Sequence, residues 1–290
     1  MAYGRTRRYA RRRTTTRRPV RRYTRRPTRV TRYRRRPAMS RRRVLNITTK
    51  KKQDTMVPVV PASTSAGSVT ASNRTITGAN AEVMVWVATA RDRAGPSEDQ
   101  QSESRRTAQT CYMRGLKERV TLVTNTGASW KWRRICFTAK GLGFLETDAV
   151  LAVETSSSWA RLQNIISATT TWFELSRVMF KGTAGTDYLS TLDAKVDTQR
   201  ITVKYDKTFT VNSGNASGKI ATFNLWHPMN KNLVYADREL AESDISSSRS
   251  STGKAGMGDY YVVDFFACAD ASASNTITFA PNTTLYWHEK

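Results

Sequence analysis

Few side chains in this sequence could do covalent or acid–base chemistry. There are two histidines, His227 and His288, and three cysteines, Cys111, Cys136 and Cys268. A serine or cysteine nucleophile needs a histidine base that an acid orients. His227 stands beside a proline in NLWHPMN, which reads as the end of a strand, and His288 is two residues from the last one. Neither spacing suits that role, and with 61 positions between them they make no H-E-x-x-H helix and no paired-histidine metal motif. The cysteines match neither a C-x-x-C metal site nor a paired disulfide framework, so buried free thiols are expected. GNASGK (214–219) comes nearest to a phosphate loop. It has three residues between its glycines instead of four, and Ile220 where a hydroxyl should follow the lysine, so it reads as a hairpin turn. GLGF (141–144) and GTAGTD (182–187) also read as turns. No catalytic residue, metal or cofactor is expected, and the chain is not read as an enzyme.

The strong signal is electrostatic. Residues 1–52 hold 20 Arg, 3 Lys and no acid, leaving 25 Lys+Arg against 23 acids for residues 53–290. The basic character therefore belongs to an N-terminal arm, and a split this sharp points to an anionic partner. Arginine presents a planar fork that matches phosphate oxygens, and its charge cannot be titrated away. The residues read as contacting nucleic acid are Arg5, Arg7, Arg8, Arg11, Arg12, Arg13, Arg17, Arg18, Arg21, Arg22, Arg25, Arg26, Arg29, Arg32, Arg34, Arg35 and Arg36. Among them Tyr9, Tyr23 and Tyr33, with Tyr3, offer flat faces on which unpaired bases could stack. Their spacings of 6, 14 and 10 have no helical period, which suits an extended chain and sequence-independent binding.

The elements that must carry this arm follow from pattern. Residues 1–52 contain Pro19, Pro27 and Pro37, and like charges repel, so a disordered arm is expected. VPVVPASTSAGSVTASN (57–73) reads as a loop. Strands are expected over 81–90, 112–125, 130–139, 171–182, 200–212, 218–227, 259–269 and 275–288, because these runs are rich in β-branched and aromatic residues between Gly, Asn, Ser and Thr clusters. Helix is expected only over 157–166 and near 187–195. The longest apolar run, YYVVDFFACA (260–269), is too short to span a bilayer. An arm at 1–52 and a single all-β body at 53–290, a jelly-roll sandwich of about eight strands, is the expected fold class, although a barrel of another topology would give the same list of strands.

Two segments carry a family resemblance. MSRRRVLNITTKKKQDTMVPV (39–59), with TARDR (89–93), and DYYVVDFFACADAS…TITFAPNTTLYWHEK (259–290) resemble the capsid proteins of genomoviruses, whose genomes are small circles of single-stranded DNA. WHPMN…VYADRE (226–239) is more distantly similar to geminivirus coat proteins. The resemblance implies a single jelly-roll subunit, a shell of about 60 identical copies, single-stranded viral DNA as cargo, and the virion and host nucleus as locations. It implies nuclear import through host import receptors, with Arg41, Arg42, Arg43, Lys50, Lys51 and Lys52 as the localisation cluster, and no membrane partner. From the residues alone, a cellular nucleic-acid-binding protein with a basic tail explains the arm equally well but leaves the large β body without a purpose. An enzyme acting on nucleic acid lacks the required constellations.

Overall fold

Alternation decides which way each long strand faces. In TCYMRGLKERVTLVT and TITFAPNTTLYWHE nearly every second side chain is buried and its neighbour exposed, the mark of a strand with one face packed and one solvated. In the computed structural model of this chain, residues 39–290 are described except Ala66, residues 96–101, Ser157 and Glu242. The chain divides into two units, Met1–Arg41 and Arg42–Lys290, and the first lies almost wholly outside the described residues.

In chain order, α1 (Arg41–Thr48) precedes β1 (Lys50–Met56), β2 (Pro58–Pro61), β3 (Val69–Ala71), β4 (Arg74–Thr77), β5 (Glu82–Val87), β6 (Thr110–Thr124) and β7 (Trp130–Ala139). Then come a 3₁₀ turn (Leu142–Leu145), β8 (Arg161–Leu162), α2 (Thr170–Met179), β9 (Thr202–Val211), β10 (Ile220–Val234), the hairpin β11 (Arg238–Leu240) and β12 (Ser243–Ile245), β13 (Asp259–Cys268) and β14 (Thr276–Glu289). One sheet has the order β1-β14-β6-β10, with β4 also on β14; the other has the order β5-β13-β7-β9. Of these eight principal strands the first pairs with the last (β1 with β14), the second with the seventh (β5 with β13), the third with the sixth (β6 with β10) and the fourth with the fifth (β7 with β9), all antiparallel. That nested pairing, wrapped into two sheets, is a jelly roll.

The core lies between the sheets, where Trp86, Met113, Leu116, Cys136, Val262 and Trp287 form one buried cluster and Val120, Leu122, Trp130, Trp132, Phe266 and Phe279 another. A third cluster packs on the opposite face of β5, β7 and β13, where Leu142, Leu145, Leu175, Met179 and Phe180 from the β7–β9 connection cover Val85, Phe137 and Val263. This cover explains why β13 is buried on both faces and reads as an uninterrupted apolar run. Cys111 and Cys136 are buried, Cys268 is half-buried, and all three are free thiols. Among the described residues no helix is long and apolar enough to cross a membrane.

Several sequence expectations are corrected. Residues 171–182 form mostly helix α2 rather than a strand. The Thr169 hydroxyl caps it by accepting from the Trp172 N–H at 3.1 Å, Asp148 accepts from the Thr170 and Thr171 N–H groups, and Thr171, Leu175 and Met179 are buried at a four-residue spacing. Capping and burial outweigh a composition that favours strand. Residues 157–166, expected as helix, are extended over Arg161–Leu162, which pair in parallel with Pro58–Val59. Gln163 and Asn164 bond to the distant carbonyls of Ser72, Thr64 and Val150 instead of to a helical turn. Residues 187–195 form turns. The loop expected over 57–73 contains the β2–β3 hairpin. The strand over 218–227 continues to Val234, so His227 is not at its end; Pro228 is accommodated because β10 is an edge strand that bulges between Pro228 and Lys231. GNASGK is a turn but not a hairpin, since β9 and β10 belong to different sheets. Residues 41–48 are helical and Lys50–Lys52 already belong to β1, so the last part of the expected arm is ordered body.

Candidate nucleic-acid interface

The inward phase of three strands places charge in the middle of the sandwich. Glu118 shares a phase with Leu116 and Val120 on β6, Arg134 with Trp132 and Cys136 on β7, and Asp264 with Val262 and Phe266 on β13. Arg161 of β8 completes a buried square of two cations and two anions, each at most 1% exposed. Arg134 donates to Asp264 at 2.7 and 2.9 Å and also binds Glu118; Arg161 donates to Glu118 at 3.1 Å and to Asp264 at 3.0 Å. The Thr283 hydroxyl and the Trp132 indole N–H supply further donors, at 2.9 and 2.8 Å. Burial alone would raise the pKa of Glu118, but Arg134, Arg161 and Thr283 outweigh it and hold it at about 2.

His227 borders this cluster, with Nε2 4.0 Å from Glu118 and Nδ1 3.9 Å from the Cys136 sulfur. Burial, reinforced by Arg134, lowers its pKa to about 4, while burial pushes the Cys136 thiol up to about 12. The proton therefore stays on sulfur beside a neutral imidazole, and this pair is not an activated nucleophile.

Other internal cations are matched as well. Lys52 lies 3.4 Å from Glu289 and donates to the Arg105 carbonyl at 2.5 Å; Arg91 meets Asp54 at 3.0 Å, and Arg106 grips Asp237 with two bonds of 2.6 and 2.9 Å.

The outer face of the β1-β14-β6-β10 sheet is built differently. Lys51, Arg114, Lys117 and Arg119 project from it, and none of them meets a carboxylate among the described residues; Arg114 binds the Asn230 side-chain amide oxygen. The outward positions of these four strands carry Lys, Arg, Thr, Asn, Gln, Tyr, Trp, His and apolar residues including the exposed Ile220, and no Asp or Glu. At one end of the face lies a groove of about 460 Å³ whose lining includes Lys51, Glu103, Arg114, Lys117, Trp226, Tyr286 and His288. Trp226 is 47% exposed, and its ring centroid stands 6.0 Å from that of Tyr286 at 55°. The indole lies across Gly115, where a Cβ would come within 2.7 Å of the indole Cζ2. A side chain there would collide with the ring and with the His227 carbonyl, 2.6 Å from the same point, so glycine lets the half-exposed indole rest against the strand. Desolvation lowers the pKa of His288, and Arg114 and Lys51 lower it further, as expected where positive potential is unbalanced. Such a surface can hold a row of anions and stack planar rings.

The arm arginines Arg5 to Arg36 and the tyrosines Tyr9, Tyr23 and Tyr33 lie outside the described residues. Arg41–Arg43 open α1, with Arg43 exposed, and Lys50 and Lys51 are exposed on β1. Lys52 differs from its two neighbours, because its ammonium is inside the body with Glu289. Sequence reading missed the basic sheet face. The available signal was the alternation in YMRGLKERV, which sets Tyr112, Arg114, Lys117 and Arg119 opposite buried Met113, Leu116 and Val120.

Fold and face together define the class: a jelly-roll protein with one basic, aromatic-lined sheet surface. Compared with models of known protein families and with curated proteins, the chain matches none.

Proposed function

We propose that this chain is a structural capsid subunit that packages single-stranded DNA. The observation that carries the reading is the joining of an eight-stranded jelly roll to a segment with 20 arginines, 3 lysines and no acid. A single wrapped sandwich leaves few edges exposed and gives a rigid block for repeated, symmetric contacts. The basic segment neutralises phosphate without reading sequence. The resemblance of residues 39–59 and 259–290 to genomovirus capsid proteins supports the same reading and supplies its particulars: circular single-stranded DNA, a closed shell of about 60 copies, and assembly linked to the host nucleus. The work is structural rather than enzymatic. Import would use Arg41–Arg43 with Lys50–Lys52, so a reporter carrying residues 39–53 should enter nuclei.

Electron microscopy of the purified full chain, with its 260/280 nm absorbance ratio, tests the proposal. Uniform closed particles with nucleic-acid absorbance are expected. Protein that binds nucleic acid but never closes into shells would favour a cellular nucleic-acid-binding protein with a basic tail.

A further inference from the structure

We infer that the groove on the outer face of the β1-β14-β6-β10 sheet is a second single-stranded nucleic-acid site, separate from the Arg-rich segment, in which Trp226 and Tyr286 stack unpaired bases while Lys51, Arg114 and Lys117 hold the phosphates. The inference rests on the packaging reading for the identity of the strand, but the site itself stands on the body alone.

Three observations point to this ligand. The first is charge: among the described residues none of these cations meets a carboxylate and the strands of the face present none, Glu103 being the one acid among those lining the groove. Grouped on one face without acids on its strands, these cations create a positive potential that attracts an external anion. The second is the aromatic pair. An isolated phosphate or a lipid headgroup gains nothing from a half-exposed indole resting against Gly115, whereas a base stacks on it whatever its sequence. Duplex DNA keeps its bases stacked on each other and cannot use these rings without melting. The third is the spacing of the donors. Lys117 sits across from Trp226 on one side and Thr284 on the other. Arg119, two residues further along β6, projects about 7 Å beyond it, close to one nucleotide step. Asn282 and Asn224 flank Arg119 in the same row and add neutral hydrogen-bonding groups.

The test uses the full chain and an iodouridine-substituted single-stranded DNA, irradiated at moderate salt and digested with trypsin. Residues 220–231 form one tryptic peptide that contains Trp226. Crosslinks to that peptide are expected, and Trp226→Ala should abolish them while crosslinks to residues 1–52 persist. The triple variant Lys51→Gln, Arg114→Gln, Lys117→Gln should make the slope of log affinity against log salt shallower by about 2, and Trp226→Ala should weaken binding about tenfold at high salt, where stacking outlasts ion pairing. Unchanged thermal unfolding of both variants would show that the losses are local. Crosslinks confined to residues 1–52 would overturn the inference and leave the packaging proposal intact, whereas a full chain that binds no single-stranded DNA would remove both. Equal crosslinking to duplex, or binding of anionic vesicles abolished by the same triple variant, would also overturn it.

Discussion

The interior of the sandwich and the outer face of its larger sheet use the same residue types to opposite ends. Inside, Arg134 and Arg161 face Glu118 and Asp264, Lys52 faces Glu289, Arg91 faces Asp54 and Arg106 faces Asp237. Outside, Lys51, Arg114, Lys117 and Arg119 share one surface with no carboxylate on its strands. A charge withdrawn from water must be matched, so the interior fixes where these acids go. A charge left in water need not be matched, and the outer face keeps its excess. A body with nearly balanced totals can therefore still present a strongly one-sided surface.

The comparison is broken most severely from inside. Glu118→Gln leaves Arg134 and Arg161 sharing Asp264 alone and should cost about 3–5 kcal/mol, as expected when one partner of a buried ionic group is removed. Denaturant unfolding of the variant measures it, and a loss below about 1 kcal/mol would mean that the square is not a unit.

A smaller effect comes from His227. Its folded pKa of about 4 lies below the ordinary 6.5, so the unfolded chain takes up the proton first. The stability tied to its neutral form is complete above pH 6.5 and is lost as pH falls towards 4. Glu118, held at about 2, begins to lose its contribution only below its ordinary 4.5, and does so in both proteins. Between pH 7 and pH 4 the native protein should lose on the order of 2 kcal/mol more than His227→Gln. Parallel stability curves for the two proteins would show that His227 is not held neutral by its surroundings.

The smallest expected effect is on the outside. Lys117→Gln or Arg119→Gln should change stability by no more than about 0.5 kcal/mol, while each makes the salt slope of single-stranded DNA binding shallower by about 0.7. A larger stability loss would reveal a hidden partner and remove the contrast.

Much of this contrast was written into the alternation of the strands. In WKWRRICFTA the phase of Trp130, Trp132 and Cys136 already turns Arg134 inward, and Leu116 and Val120 do the same for Glu118. The pattern tells which charges are buried but not which of them meet, because Glu118, Arg134, Arg161 and Asp264 come from four separate strands. Arg161 was hidden for a second reason: SSWARLQNII has helical spacing, yet the ion pairs of Arg161 and the carbonyl contacts of Gln163 and Asn164 hold it extended. Helix α2 was obscured by its threonines and aromatics, and the cap that decides it includes Asp148, some twenty residues upstream. The jelly roll itself was legible as a count of strands, but its nested pairing was not, since strand partners such as β1 and β14 lie at opposite ends of the body.

The most direct test of the central claim is the nucleic acid that survives nuclease treatment of particles purified from cells expressing the full chain. Single-stranded DNA of a defined length, on the order of 1.5–3 thousand nucleotides, is expected, since cargo length follows the positive charge offered to phosphate. Replacing half of the arginines in residues 5–36 by glutamine should shorten that cargo or leave many particles empty. Particles that kept full-length cargo with half-charged segments, or a chain that protected no nucleic acid at all, would contradict the account.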